Sequence, residues 1–165
     1  MEEVLFRGKR IDNGEWIEGY YVAEPYTKST YNYGYILENE KDLYAKKAYL
    51  VDSRTVGQFT GLTDKNGEKI FEGDIVKLFD IHVGEIVQEC SAFGIGCRQQ
   101  IDYDYLASEI ASVTGYDNTP MFCYNDNFVS LWELYWNYND ENDEISVVEV
   151  IGNIHDNPEL LEVTE

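Results

Sequence analysis

Apolar and polar residues alternate along the first third of the chain with a period that suits strands and gives little helical spacing. "LFRGKRI" and "EWIEGYYV" flank a "DNG" turn, and in the second arm Trp16, Glu18 and Tyr20 alternate with Ile17, Gly19 and Tyr21. A period of two on either side of a glycine-bearing turn predicts a β-hairpin. A polar, tyrosine-rich loop, "EPYTKSTYNYG", follows, and then "YILENE" and "AKKAYLVD" as two further strands. Residues 55–78, "TVGQFTGLTDKNGEKIFEGDIVKL", are dense in turn chemistry. Asp64 is expected to accept bonds from nearby backbone N–H groups, and Asn66-Gly67 to take left-handed conformations. Gly73 should turn the chain into a strand from Asp74 to Phe79, where Asp74 accepts backbone hydrogen bonds. A polar link over Asp80–Val83 precedes a strand in "GEIVQEC", and "AFGIGCR" is placed to pair with it.

From Gln99 the pattern changes. "QQIDYDYLASEIASVTG" sets Ile101, Tyr105, Ile110 and Val113 near one helical face, with Gly115 as a stop. "FVSLWELYWNY" is apolar at almost every position and fits either a short buried helix or a strand. The portion Ser130–Trp136 is read as helix, started by Asp126 or Asn127 as its cap. "NDENDE" reads as an acidic loop. "ISVVEVIGNI" reads as one β-branched strand bounded by glycine, and "HDNPELLEV" as a closing turn.

At 165 residues and 44% apolar content, the chain can bury a core. No apolar run is long enough to span a membrane. The opening "MEEVLFRGKR" has two acids and no apolar signal core, so no export signal is expected and a cytoplasmic location is. Charge changes the picture more. Residues 1–77 hold 11 Lys/Arg against 14 Asp/Glu, a net of −3, whereas residues 78–165 hold one, Arg98, against 18, a net of −17. Such a field repels phosphate backbones and argues against direct nucleic-acid binding. It attracts basic protein surfaces, or imitates DNA towards a protein that binds DNA, or simply keeps the chain soluble. Fourteen tyrosines suit half-wet interfaces as well as core packing. The Tyr26–Tyr35 loop and the Tyr103–Tyr138 region are the candidate contact surfaces.

Candidate chemistry is sparse. Cys90, Cys97 and Cys123 have no metal-ligand spacing, and an odd count suits a reducing compartment. Only Arg98, beside Cys97, offers a thiol a basic neighbour. His82 and His155 stand far apart. Gly57, Gly61 and Gly67 are not followed by Gly-Lys-Ser/Thr, and Gly94 and Gly96 lack the third glycine of a dinucleotide turn. Asp140, Asn142 and Asp143 start like a calcium loop but lack its central glycine and distal glutamate. The pairs Asp102/Asp104 and Glu72/Asp74 show nothing that would set two carboxyl pKa values apart. No serine sits in a nucleophile elbow. The expectation is therefore a protein without catalytic residues, cofactor or metal; an enzyme acting on nucleotides or phosphoesters through converging carboxylates is the remote reading.

Three segments, "FRGKRIDNGEWIEGYYV", "TVGQFTGLTDKNGEKIFEGDIV" and "EVIGNIHDNPELL", occur in an order that closely resembles the YopX-like family of small phage and prophage proteins. The resemblance implies a mainly β fold. A small β-rich N-terminal region, residues 1–57, would precede an SH3-like barrel, residues 58–165. The chain departs in carrying a longer Tyr- and Asp-rich middle, read as a helical insertion at about 99–126. Gly57, Gln58, Gly61, Asp64, Asn66, Gly67, Gly73, Asp74, Gly152, Asn153 and Pro158 are the motif positions, read as scaffold rather than site. The family implies no established activity. The function expected is that of a phage or prophage accessory protein that docks a protein partner or another copy of itself, the alternative being an acidic DNA mimic or inhibitor of a basic host protein.

Overall fold

A computed structural model of the protein describes residues 4–23, 32–38, 47–89, 91–97, 108 and 127–162. The chain is mainly β and forms two compact units, Met1–Phe59 and Thr60–Glu165. In the first, β1 (Phe6–Lys9), β2 (Trp16–Ala23), β3 (Tyr33–Leu37) and β4 (Ala48–Asp52) follow one another as antiparallel neighbours. The hairpin of the "DNG" turn is the β1–β2 pair, held at its mouth by Arg10 N–H donating to Glu15 O. The sheet coils until the residue after β1, Arg10, bridges Val51 of β4. Ile36 and Val51 are fully buried inside the curl. A 3-10 turn, Ser53–Thr55, then leads into β5 (Gly57–Asp64), whose first residues pair with β1.

In the second unit the rest of β5 pairs with β6 (Lys69–Phe71). A five-stranded antiparallel sheet contains β7 (Asp74–Leu78), β8 (His82–Glu89), β9 (Ala92–Cys97), β10 (Phe128–Ser130) and β12 (Val148–Asn153), in the order β10-β9-β8-β7-β12. The helix α1 (Leu131–Tyr138) and β11 (Glu144–Ile145), which runs parallel to the end of β5, lie between β10 and β12. The core is aliphatic: Leu62, Ile70, Val76, Leu78, Ile86, Ile95, Val129, Leu131, Leu134, Ile145 and Val148 gather in one cluster. β7 is buried at every position but Lys77, as a central strand covered on both faces must be. At Gly94 of β9 an added Cβ would stand 2.2 Å from the Phe128 ring and 2.5 Å from Val129 O, so only glycine lets β10 lie this close.

Several details differ from the sequence reading. Among the described residues the hydrogen-bonded strand orders run open, from β10 to β12 in the second unit, and do not close into a barrel. "ISVVEVIGNI" is two strands. Ser146 turns the chain by giving both its N–H and its hydroxyl to Tyr138 O, so Ile145 faces Asp64 while Val148 faces Leu78. β8 begins at His82, and the link before it shrinks to Phe79–Ile81 because Phe79 and Asp80 both take positive φ, 51° and 59°. The helix begins later, capped at Ser130, because Phe128–Ser130 is spent on β10; Asn127 lies before that strand and Asp126 outside the described residues. The helical insertion at 99–126 lies outside the described residues apart from Ser108, which is helical. Cys90, Cys123, Arg98, Asp102, Asp104 and the Tyr26–Tyr31 part of the tyrosine loop also lie outside them.

Candidate protein-interaction surface

The motif residues hold turns. Asp64 is fully buried, and its Oδ1 accepts from Asn66 N–H at 2.8 Å and Glu68 N–H at 3.0 Å. Its Oδ2 accepts from Val150 N–H of β12 at 2.8 Å, so one carboxylate closes a turn and ties it to a strand 86 residues away. Gly67 supplies the positive φ, 78°, at the fourth position of that turn. Asp74, also fully buried, accepts Phe71 N–H at 2.7 Å. Beside it Gly73, at φ 80°, donates its N–H to Ile86 O and accepts Ile154 N–H. Gly61 takes φ 86° on β5. Gly57 and Gln58 pair with Arg7 and Phe6. At the other end Asn153 accepts the N–H groups of His155 and Asp156, and Pro158 starts a 3-10 turn that buries Leu161. Gly152 packs under Asn157, where a Cβ would approach Oδ1 to 2.6 Å.

"DENDE", residues 140–144, repeats "DKNGE", residues 64–68, in structure as well as in sequence. Asp140 Oδ1 accepts from Asn142 N–H at 2.8 Å and Glu144 N–H at 3.0 Å. The backbone closes identically: Asp64 N–H reaches Glu68 O at 2.9 Å, and Asp140 N–H reaches Glu144 O at 3.0 Å. The two turns are neighbours, since a Cβ on Gly67 would come within 2.9 Å of Glu144 Oε1. The fourth position is Gly67 in one turn and Asp143 in the other, at φ 62°. An aspartate there is strained backbone. Its carboxylate has a second task, accepting the Tyr135 hydroxyl at 3.0 Å. That bond, more than the accompanying desolvation, raises the Tyr135 pKa above the ordinary phenol value. The Asp-x-Asn-x-Glu spacing was the signal that the acidic loop is a built turn. Asp140, the residue that began the calcium-like pattern, uses Oδ1 on its own backbone. Among the described residues no three His, Cys, Asp or Glu side chains gather to hold a metal ion.

Tyr135 links that turn to α1. Leu131, Leu134 and Tyr138 occupy the buried stripe of the helix. Trp132 and Trp136, one turn apart on another stripe, are 45% and 73% exposed, although indoles rank with the residues that most often bury their area. The Tyr135 ring stands edge-on to both, 5.7 Å from each centroid. The outcome is a short ladder, Trp132–Tyr135–Trp136, anchored to the carboxylate of Asp143. On the same helix Glu133 has its pKa raised by desolvation. Residues 127–162 contain nine acids and no lysine or arginine. Among the described residues of the candidate region Tyr103–Tyr138, the large exposed rings are those of Trp132 and Trp136.

The first unit contains a comparable arrangement already filled. The Arg10 guanidinium lies over the Tyr49 ring, 4.7 Å from its centroid, and is gripped by Asp12 at 2.6 Å and Glu15 at 3.7 Å. Arg7 stacks over Trp16 at 5.0 Å, with Lys9 at 5.9 Å.

The described residues form a small β-sheet protein whose second unit has two aspartate-held turns and two exposed indoles on α1. The chain belongs to the YopX family: the family model described as YopX protein matches residues 5–162. No curated protein matches it. Among solved structures it is similar to the crystal structure of protein EF1440 from Enterococcus faecalis, at 22% identity over 98% of this chain and 100% of that chain, with a TM-score of 0.45. No helix among the described residues is long and apolar enough to cross a membrane.

Proposed function

We propose that this protein is a phage- or prophage-encoded accessory protein that works in the bacterial cytoplasm without catalysis, by docking another protein on the aromatic face of α1. The observation that carries the reading is the ladder Trp132–Tyr135–Trp136, whose two indoles are exposed and whose half-buried Tyr135 is fixed to a strained turn by its hydrogen bond to Asp143. Exposed indoles weaken solubility, and backbone strain is retained where positioning matters. Rigid aromatic residues are also the side chains that most often dominate binding energy. The reading includes an SH3-like character for the second unit. The run β7-β8-β9-β10, a helix, and the return of β12 to β7 support it.

The charge favours a second reading, an acidic decoy for a DNA-binding protein, because residues 60–165 hold 22 acids against 4 Lys/Arg. Against it, Asp64, Asp74 and Asp140 spend carboxylate oxygens on their own turns. The test is paired capture from the host of the intact chain and of the W132S/W136S chain, with folding checked by circular dichroism. The proposal expects a partner retained by the first and lost by the second. A partner lost only when acids are neutralised supports the decoy. A partner retained by every variant overturns both.

A further inference from the structure

Resting on that reading, we infer that the partner presents arginine side chains, and that the ladder of α1 with Asp143 forms a receptor for guanidinium groups on a basic protein segment. The protein itself contains the model. In the first unit a guanidinium is held between a tyrosine face and two carboxylates, Arg10 on Tyr49 with Asp12 and Glu15. In the second unit the ring and carboxylate half of that arrangement recurs, at larger scale: the Tyr135 ring stands edge-on to both Trp132 and Trp136 and is hydrogen-bonded to Asp143. No lysine or arginine of residues 127–162 can supply the cationic half. Indole is the strongest ring for cation–π attraction, and Arg adds planar stacking and a two-pronged match to a carboxylate that Lys lacks.

Charge complementarity also argues for another protein rather than a second copy of this chain. Residues 1–59 hold 8 Lys/Arg against 10 Asp/Glu, and residues 60–165 hold 4 against 22, so neither unit carries a net positive charge to set against the acidic segment 127–162. In the first unit Arg10, Lys47 and Arg54 are already committed to Asp12, Glu38 and Asp52.

The probe is a synthetic decapeptide alternating Arg with Gly, titrated into the full chain while the three indole N–H signals are followed by NMR. Single tryptophan variants assign the signals. The inference expects the Trp132 and Trp136 signals to move at low peptide concentration and Trp16 to lag. It expects affinity at least fivefold weaker for the Lys-Gly peptide, and no shift with the uncharged citrulline-Gly peptide. W136A should weaken binding at least fivefold and D143N severalfold, the latter retaining a side chain suited to positive φ. Equal binding by the W132A/W136A chain, or equal response to the Lys peptide, would overturn the inference, leaving only diffuse attraction to an acidic surface. The two readings fail separately. A host partner that needs both tryptophans but binds through an apolar or acidic segment ends the arginine inference and keeps the docking face. Arginine-peptide binding at the ladder, with no host partner sensitive to W132S/W136S, does the reverse.

Discussion

Asp64 and Asp140 perform the same local task with different stakes. Each closes a five-residue turn by accepting two N–H groups on one oxygen, but Asp64 is fully buried and also receives Val150 N–H. Removing a buried acceptor strands its donors, whereas the turn at Asp140 lies nearer water. Asp64→Ala should therefore cost about 3 kcal/mol and Asp140→Ala about 1 kcal/mol in urea unfolding of otherwise identical chains. Equal losses would mean that the bond to Val150 contributes nothing. At the fourth position of the second turn, Asp143→Asn leaves the positive-φ backbone suited but takes the charge from the Tyr135 hydroxyl. Because the Asp143 bond is the main reason that the Tyr135 pKa stands above the phenol norm, the variant should ionise Tyr135 at a lower pH than the wild type. Carbon-13 NMR of labelled tyrosine, assigned with Tyr135→Phe, reads the shift; an unchanged titration would remove the anchor from the ladder. The Asp64 turn was legible in the sequence because Asn-Gly announces left-handed backbone. Its twin was not, since Asp143 occupies a place where glycine is the usual sign and the surrounding acids read as solvation.

At the scale of the element, α1 shows how much a residue pattern can carry. Leu131, Leu134 and Tyr138 lie at helical spacing and bury together, but in a run apolar at almost every position that stripe did not stand out. The helix over Ser130–Trp136 was favoured by a candidate cap at Asp126 or Asn127. What the pattern concealed was its start and its outer face. Ser130 closes β10 as it caps the helix, and strand pairing with β9 explains why three residues that could have been helical are extended. Trp132 and Trp136 were not told apart from the rest of a run that fits a short buried helix or a strand. The same ambiguity hid the break in "ISVVEVIGNI", where β-branched residues run on through a turn set by Ser146 and Tyr138 O rather than by glycine or proline. Within α1, Glu133 sits in the first turn, where the helix dipole favours its charge, yet burial raises its pKa. A carboxyl whose folded pKa exceeds its unfolded value binds its proton more tightly when folded. Its contribution to stability is fully present below the unfolded pKa and declines as pH rises through the folded one. Glu133→Gln should accordingly melt above the wild type at neutral pH, with the difference fading on acidification to about pH 4. A lower Tm at pH 7 would show that the dipole outweighs desolvation. In the five-stranded sheet, Gly94→Ala must push Phe128 and the β10 backbone away from β9. A loss of about 3 kcal/mol or more is expected, against a tolerated Gly96→Ala, where the nearest obstacle is a Val87 methyl at 3.2 Å.

For the whole molecule the governing fact is the unequal division of charge. Residues 1–59 carry 8 basic and 10 acidic side chains, a net of −2; residues 60–165 carry 4 and 22, a net of −18. The second unit must therefore fold against its own repulsion, and its local ion pairs relieve little of it: Lys65 is shared between Glu149 at 2.8 Å and Asp80 at 3.2 Å. Exposed pairs of this kind are worth at most about 1 kcal/mol. Repulsion among many like charges separated by more than a contact distance is the part of electrostatics that salt screens best, since the Debye length falls from roughly 30 Å at 0.01 M to below 10 Å at physiological strength and above. Unfolding spreads the charges apart, so screening should favour the folded chain. Raising sodium chloride from about 0.01 M to about 0.5 M is expected to raise the Tm followed at Trp132 and Trp136 by several degrees, because the relieved self-repulsion outweighs the weakened surface pairs. Choline chloride at the same ionic strength should act equally, because the effect is screening and not occupation of a site by sodium. A flat or falling Tm would show that the acids of the second unit are spaced too widely to repel, and a rise confined to one cation would place a specific ion site where the charge alone was held responsible.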